Sequence, residues 1–101
     1  MKKIFLLCSA GMSTSLLVNK MKEAAKKQGY ECYIAASPLA NLKEVKDEAD
    51  VILLGPQVRF DKERVEKEAQ NIPVSVIDMV AYGMMDGEKV LKQARELLGE
   101  L

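Results

Sequence analysis

A single cysteine near the start of the chain, Cys8, lies where nucleophilic chemistry is possible. It directly follows residues 3–7, an almost wholly apolar run that is typical of a buried strand. The residues that follow Cys8 in the sequence are nearly all small, and several carry hydroxyls: Ser9, Ala10, Gly11, Met12, Ser13, Thr14 and Ser15. Small residues let consecutive backbone N–H groups curve around an anion, and hydroxyl groups can donate as well. The segment therefore predicts a loop that holds a phosphate group beside a thiol.

A helix is predicted over residues 14–28, which places Cys8 close to a helix N-terminus. The positive end of a helix favours the thiolate, which is the nucleophilic form of cysteine. Nucleophile and oxyanion cradle would then come from one stretch of chain. Each feature alone has a simpler interpretation, because a cysteine at a strand end is often a small buried hydrophobe and a Ser/Thr cluster often only caps a helix. Their combination in this order favours function.

Four strand-like runs alternate with four helical patterns along the chain. The strands are predicted over residues 3–7, 30–36, 51–54 and 74–77, and the helices over residues 14–28, 39–48, 59–71 and 86–98. This alternation predicts an α/β fold, namely an open four-stranded parallel sheet flanked by helices on both faces. Ser37 and Pro38 are expected to end the second strand. Ligands of open α/β sheets bind at the carboxyl ends of the strands, and Cys8 follows the first strand.

The composition excludes several other classes of site. The 101 residues predict one domain, and 15 basic and 15 acidic side chains cancel, which gives no reason to expect a nucleic acid as partner. The chain has no histidine, so Ser–His or Cys–His catalysis within it and a His-ligated zinc site are excluded. No run approaches the roughly 20 apolar residues of a membrane span. We therefore expect a cytosolic protein that needs no metal and no cofactor.

The second cysteine, Cys32, is not expected to share in the chemistry. Its separation from Cys8 matches neither a C-x-x-C pair nor a metal-ligand spacing. Both thiols are expected to be reduced, as is usual in the cytosol. Because Cys32 lies in the second predicted strand, we expect it to pack in the core.

Three segments of the chain resemble a known family. They are residues 4–18 (IFLLCSAGMSTSLLV), residues 49–58 (ADVILLGPQV) and residues 73–78 (PVSVID), the last running on to Tyr82-Gly83 and Asp86-Gly87. These segments are similar to the IIB components of the bacterial phosphoenolpyruvate-dependent sugar phosphotransferase system, of the lactose/cellobiose (diacetylchitobiose) type. The resemblance covers essentially the whole chain, in order, at the single-domain length of that family. The cysteine segment is its most specific part.

The resemblance implies a cytosolic phosphocarrier. The cysteine of this family takes a phosphoryl group from a phosphohistidine on the IIA component. It then passes that group to a β-linked disaccharide bound by the membrane component IIC. The phosphorylated cysteine carries over to Cys8, and the phosphate loop carries over to residues 9–15. The family fold is similar to that of low-molecular-weight tyrosine phosphatases, and we expect a monomer that does not insert into the membrane.

Cys-dependent phosphatases and arsenate reductases are the nearest alternative in chemistry. Those proteins place five residues between the cysteine and an arginine that clamps the phosphoryl oxygens, and here Thr14 stands in the arginine's position. They also need an acid for the leaving alcohol, for which Asp78 and Asp86 are the best-placed candidates. The missing arginine favours a carrier, because a site without a bidentate charged clamp holds the group with moderate strength.

A flavodoxin-like binding domain is an alternative of a different class. The loop after the first strand lacks the acidic cluster of a response regulator, and Tyr82 is the one aromatic residue that suggests a flavin site. Gln57 follows Gly55-Pro56 at a strand end and could face the phosphate loop. Two methionines, Met12 and Met84, could belong to a docking surface for IIA or IIC, as could the neighbouring Met85.

Overall fold

The computed structural model describes residues 1–9 and 12–101, and the side chains of these residues except for Met12 and Ser13. Two residues of the expected phosphate cradle, Ala10 and Gly11, therefore lie outside the described residues. The expectation that the side chain of Met12 contributes to a docking surface lies outside them as well.

Four parallel strands form one open sheet. They are β1 (Lys2–Cys8), β2 (Cys32–Pro38), β3 (Val51–Leu54) and β4 (Val74–Val76). Their order across the sheet is β2-β1-β3-β4, and each neighbouring pair is parallel. The first strand is therefore interior to the sheet, as its nearly continuous apolar sequence suggests. The predicted four-stranded parallel sheet is confirmed.

Helical segments connect the strands. The α-helices of the described residues are α1 (Met12–Gln28), α2 (Leu42–Val45), α3 (Lys62–Ala69), α4 (Met79–Gly83) and α5 (Gly87–Leu97). Two 3-10 segments, Leu39–Asn41 and Pro56–Asp61, precede α2 and α3. Gly29, with a φ of 65°, follows α1 in the left-handed conformation that commonly ends helices. None of the helices described combines the length and apolar character needed to cross a membrane.

Alternate residues of the strands divide the core between the two faces of the sheet. On one face, Ile4 and Leu6 of β1 pack in a cluster with α1, α4 and α5. On the other face, Phe5 and Leu7 pack in a cluster with α2, α3 and the 3-10 segment that follows β3. Helices thus cover both faces, as predicted. All four residues of β3 are buried, which explains its unbroken apolar run.

Several boundaries differ from the predictions for local reasons. Strand β2 runs through Ser37 and ends at Pro38, which pairs with Cys8. Proline is tolerated there because β2 is an edge strand and the missing N–H removes no interior hydrogen bond. The helices predicted over residues 39–48 and 59–71 are shorter, because each begins as a 3-10 segment. Helix α4 is absent from the predicted elements, since its N-cap, Asp78, also fits a simple turn.

Gly87 brings the first and last α-helices into close contact. A methyl group at this position would lie 2.3 Å from the backbone carbonyl carbon of Lys20 and 2.5 Å from the backbone nitrogen of Met21. Only a residue without a side chain allows α5 to begin this close to α1. The placement of α1, which begins four residues after Cys8, therefore depends on a glycine in the last helix.

Candidate functional site

Cys8 is the last residue of β1 and lies at the carboxyl edge of the sheet. On one side it pairs with Pro38 at the end of β2. On the other side lies Gly55, whose N–H donates to the carbonyl oxygen of Leu7 at 2.8 Å. Cys8 is only 4 % exposed, so its side chain is enclosed by the neighbouring segments. This is the edge at which open α/β sheets bind their ligands.

The hydroxyl of Thr14 contacts the thiol of Cys8. The Oγ1 and Sγ atoms lie 3.0 Å apart, and Thr14, in the first turn of α1, is fully buried. Either atom can be the donor of this hydrogen bond, and a hydroxyl can donate to an ionised sulfur or to an oxyanion carried on it. The residue that occupies the position of the phosphatase arginine therefore touches the sulfur, and it does so through an uncharged hydroxyl group.

Two further residues of the expected cradle, Ser9 and Ser15, lie close to Cys8 and Thr14 in the chain. Ser9 lies in an exposed bend directly after β1, and Ser15 is exposed in the first turn of α1. Helix α1 begins at Met12, two residues earlier than predicted. The first turn of a helix directs its N–H groups towards the preceding chain, which here is the segment after Cys8. The arrangement of backbone donors expected for an anion cradle is therefore compatible with the start of α1.

A second group of residues adjoins Cys8 from the side of β3. Gly55 approaches so closely that a methyl group on it would lie 3.4 Å from Cβ of Cys8 and 2.8 Å from Oε1 of Gln57. The Nε2 atom of Gln57 donates to the Oη atom of Tyr82 at 3.0 Å. One side chain therefore links the end of β3 with α4, next to the end of β1.

Sequence reasoning indicated the position of Gln57 but not its contact. Its signal was the place directly after Gly55-Pro56 at a strand end, whereas Tyr82 lies on α4, the helix absent from the predicted elements. Tyr82 is 9 % exposed and packs in the core on the face covered by α1. Its ring is therefore part of the core, and this placement gives no support to a flavin site.

The two candidate acids of a phosphatase cap helices. The Oδ2 atom of Asp78 accepts from the N–H of Ala81 at 2.9 Å, and the Oδ1 atom of Asp86 accepts from the N–H of Lys89 at 3.1 Å. A carboxylate at these positions satisfies an N–H group of the first turn and interacts favourably with the helix dipole. Local structure thus accounts for both aspartates without a catalytic role.

Cys32 lies at the opposite edge of the sheet from Cys8. It is the first residue of β2, pairs with Lys2 and is a free thiol. Burial raises the pKa of the Cys32 thiol, which disfavours its thiolate. It is half-buried against the core rather than fully within it. Across the described part of the chain, no three His, Cys, Asp or Glu residues are grouped so that they could hold a metal ion.

Comparison with solved structures supports the fold. The chain superposes with a TM-score of 0.58 on a mutant of YwlE from Bacillus subtilis, at 12 % sequence identity and with 99 % of this chain and 95 % of that chain covered. At this identity the likeness concerns the fold alone. YwlE has the fold of low-molecular-weight tyrosine phosphatases, so the expected similarity to that fold is confirmed.

Closer relatives share the sequence as well. The oligo-beta-mannoside-specific EIIB component of the phosphotransferase system of Bacillus subtilis (strain 168) is 54 % identical over 100 residues, which cover 97 % of each chain. The cellobiose-specific phosphotransferase IIB component of Borrelia burgdorferi has a TM-score of 0.80 at 42 % identity, with 97 % of this chain and 92 % of that chain covered. A more distant relative, the lactose-specific EIICB component of Streptococcus mutans serotype c, is 26 % identical over 72 % of this chain but only 13 % of its own length.

One family model matches nearly the whole chain. It describes the lactose/cellobiose-specific IIB subunit of the phosphotransferase system and covers residues 3–93, which include Cys8, all of β1 but its first residue, the other three strands and most of α5. Together with the relatives above, this match confirms the resemblance that the sequence suggested. The chain belongs to the lactose/cellobiose-specific IIB family and is a phosphotransferase component of sugar transport.

Proposed function

We propose that Cys8 carries a phosphoryl group between two other components of the phosphotransferase system. The observation that carries this proposal is the 3.0 Å contact between Sγ of Cys8 and Oγ1 of Thr14 at the carboxyl edge of an interior strand. A sulfur nucleophile, a hydroxyl donor and a helix N-terminus on one side suit a tetrahedral anion. The proposed phosphate cradle comprises residues 9–15.

The transfer consists of two displacements at phosphorus. In the first, the sulfur of Cys8 attacks the phosphorus of a phosphohistidine on the IIA component. An S–P bond forms, the N–P bond breaks, and the leaving imidazole nitrogen keeps the electron pair and receives the proton that the Cys8 thiol gives up. In the second, a hydroxyl oxygen of the sugar attacks the same phosphorus. An O–P bond forms, Cys8 leaves as the thiolate, and the hydroxyl proton passes to a base of the acceptor. Nothing is oxidised or reduced, so the transfer needs no redox cofactor.

The neutral character of Thr14 suits a carrier better than a phosphatase. A carrier needs to hold its phosphoryl group until an acceptor arrives and has no need to hydrolyse it. An arginine in place of Thr14 would clamp two phosphoryl oxygens by charge-assisted hydrogen bonds, which are roughly twice as strong as neutral ones. Each well-placed donor to an oxyanion lowers a barrier by about 3 kcal/mol, so several neutral donors can replace one such clamp.

The proposed donor is the phosphohistidine of a IIA component, and the proposed acceptor is a β-linked disaccharide of the cellobiose, diacetylchitobiose or lactose class on the membrane component IIC. Membership of the family supports both partners. The name of the EIICB relative, which combines the letters of a IIC and a IIB component, supports contact with IIC. We place the protein on the cytosolic side of the membrane as a monomer that meets the two partners in turn.

Phosphorus NMR tests the proposal directly. The wild-type protein is incubated with a IIA component that has been phosphorylated on histidine, and the thiophosphate resonance is recorded. The variant Cys32→Ser serves as the matched control, because it removes the thiol at the opposite edge of the sheet. We expect the signal in the wild type and in Cys32→Ser and its complete loss in Cys8→Ser. Persistence of the signal in Cys8→Ser would show that the phosphoryl group is carried elsewhere.

A further inference from the structure

We propose that Gln57 donates a hydrogen bond to the phosphoryl group on Cys8 and that Tyr82 positions it. The inference deepens the proposed function and rests on it. It is based on two observations: the carboxamide oxygen of Gln57 and Cβ of Cys8 both lie next to the side-chain position of Gly55, and the carboxamide nitrogen donates to the hydroxyl of Tyr82 at 3.0 Å.

Gly55 provides the space for this arrangement. Its N–H continues the hydrogen bonds of the sheet beside Leu7, so its Cα lies against the end of β1. A methyl group on Gly55 would meet Oε1 of Gln57 at 2.8 Å, shorter than a carbon–oxygen contact allows, and Cβ of Cys8 at 3.4 Å. The carboxamide of Gln57 and the side chain of Cys8 therefore both lie next to Gly55, on the side where a side chain would be.

The contact with Tyr82 orients the carboxamide. The Nε2 atom of a glutamine carries two N–H donors, and the hydrogen bond to Oη of Tyr82 uses one of them. Tyr82 is buried on α4, so its hydroxyl is held in place by the packing of its ring. The hydrogen bond to Tyr82 therefore fixes the direction of the second N–H of Gln57, although Gln57 itself is exposed. A pre-oriented donor of this kind loses little freedom when an anion arrives.

The nearest cation in the same segment is engaged elsewhere. Arg59 follows Gln57 by two residues, but its Nη1 atom donates to the carbonyl oxygen of Pro56 at 2.9 Å, and its guanidinium lies 4.5 Å from the ring centroid of Phe60. Thr14, which contacts the sulfur, and Gln57, which lies next to Gly55 as Cys8 does, are uncharged hydrogen-bonding side chains from α1 and from the segment after β3. They would hold a phosphoryl group between them without a charged clamp.

The variant Gln57→Glu tests the role of the carboxamide. It keeps the shape of the side chain, removes both N–H donors and places a negative charge near the phosphoryl oxygens. The matched control is Gln70→Glu, which makes the same change at an exposed position after α3. The phosphoryl donor in this assay is phosphoramidate, a small molecule with an N–P bond. A loss in the rate of phosphorylation then reports on the site rather than on the docking of a partner protein. We expect phosphorylation of Cys8 to slow about tenfold or more in Gln57→Glu and to stay unchanged in Gln70→Glu.

The variant Tyr82→Phe tests the positioning role. It removes the hydroxyl and keeps the ring that packs in the core. We expect a several-fold loss of rate in the wild-type background and no further loss in the Gln57→Glu background, together with a changed phosphorus chemical shift of the thiophosphate in both single variants. A role of Tyr82 in stability alone would lower the melting temperature, lower the rate equally in both backgrounds and leave the chemical shift unchanged.

The outcomes separate this inference from the proposed function. A thiophosphate signal in the wild type, combined with wild-type rates and chemical shift in Gln57→Glu, overturns the role of Gln57 and leaves the function of Cys8 standing. The absence of any thiophosphate in the wild type, with both IIA and phosphoramidate as donors, overturns both. Independent losses in Tyr82→Phe and Gln57→Glu retain the role of Gln57 and overturn the positioning role of Tyr82.

Discussion

The sulfur of Cys8 and the hydroxyl oxygen of Thr14 lie 3.0 Å apart although the two residues are six positions apart in the chain. Cys8 is the last residue of β1, and Thr14 lies in the first turn of α1. Phosphatases with the same sequence spacing place a guanidinium at the second position. Here a short, fully buried hydroxyl occupies it, so the residue in this position lacks the positive charge of the phosphatase arginine.

Loss of the Thr14 hydroxyl should slow the acceptance of a phosphoryl group. Valine has nearly the same shape as threonine, so Thr14→Val removes the hydrogen bond to Cys8 with little change in packing. A hydrogen bond to a charged group is worth about 1.5–3 kcal/mol, which corresponds to a rate roughly 10-fold to 100-fold lower. Single-turnover transfer from phosphoramidate measures this effect, and a wild-type rate would show that the hydroxyl does not act on the sulfur.

The isolated protein should turn over aryl phosphates very slowly. The described site has no arginine in the phosphatase position, and Asp78 and Asp86 are engaged as helix caps. Release of p-nitrophenol from p-nitrophenyl phosphate checks this expectation. Steady hydrolysis at rates typical of enzymes that disappears in Cys8→Ser would assign the protein to the phosphatases instead.

Gly87→Ala should destabilise the fold. The added methyl group would fall within 2.3–2.5 Å of backbone atoms of Lys20 and Met21, so α5 has to move away from α1. Overpacking of this kind costs about 1–3 kcal/mol of unfolding free energy, and urea titration measures it. Gly83→Ala is the matched control, because a methyl group there meets no atom within 4 Å and should leave stability unchanged or slightly raised. Equal effects of the two substitutions would contradict the close contact of α1 and α5.

Tyr30 should make stability depend on pH in alkaline solution. Burial, and then the neighbouring Glu100 carboxylate, raise the pKa of Tyr30 to about 12, whereas an unfolded tyrosine titrates near pH 10. Because the folded pKa lies above the unfolded one, the contribution to stability is complete below about pH 10 and is lost as the pH rises towards 12. Unfolding free energies measured across this range should fall less steeply in Tyr30→Phe than in the wild type. Identical slopes would contradict the raised pKa.

Local patterns were sufficient to predict the sheet and the placement of Cys8. Apolar runs identify buried parallel strands, and small residues after Cys8 identify the end of a strand at the ligand-binding edge. The extent of β2 was not predictable, because pairing with β1 continues it through Pro38 despite the unfavourable residue. The contact of Gln57 with Tyr82 was not predictable either, since it depends on how α4 packs against the sheet, and no local pattern encodes that distance.

The position of β1 within the sheet has a mechanical consequence for the proposed phosphoryl transfer. With β2 on one side and β3 on the other, the strand that ends at Cys8 is hydrogen-bonded along both edges and cannot swing outwards without breaking the sheet. The backbone that carries the sulfur of Cys8 is therefore held in place and cannot move towards a partner. In the proposed transfer, the histidine of the donor and the sugar of the acceptor must each be brought to this fixed sulfur, so the docking of the partners would set the geometry of both steps.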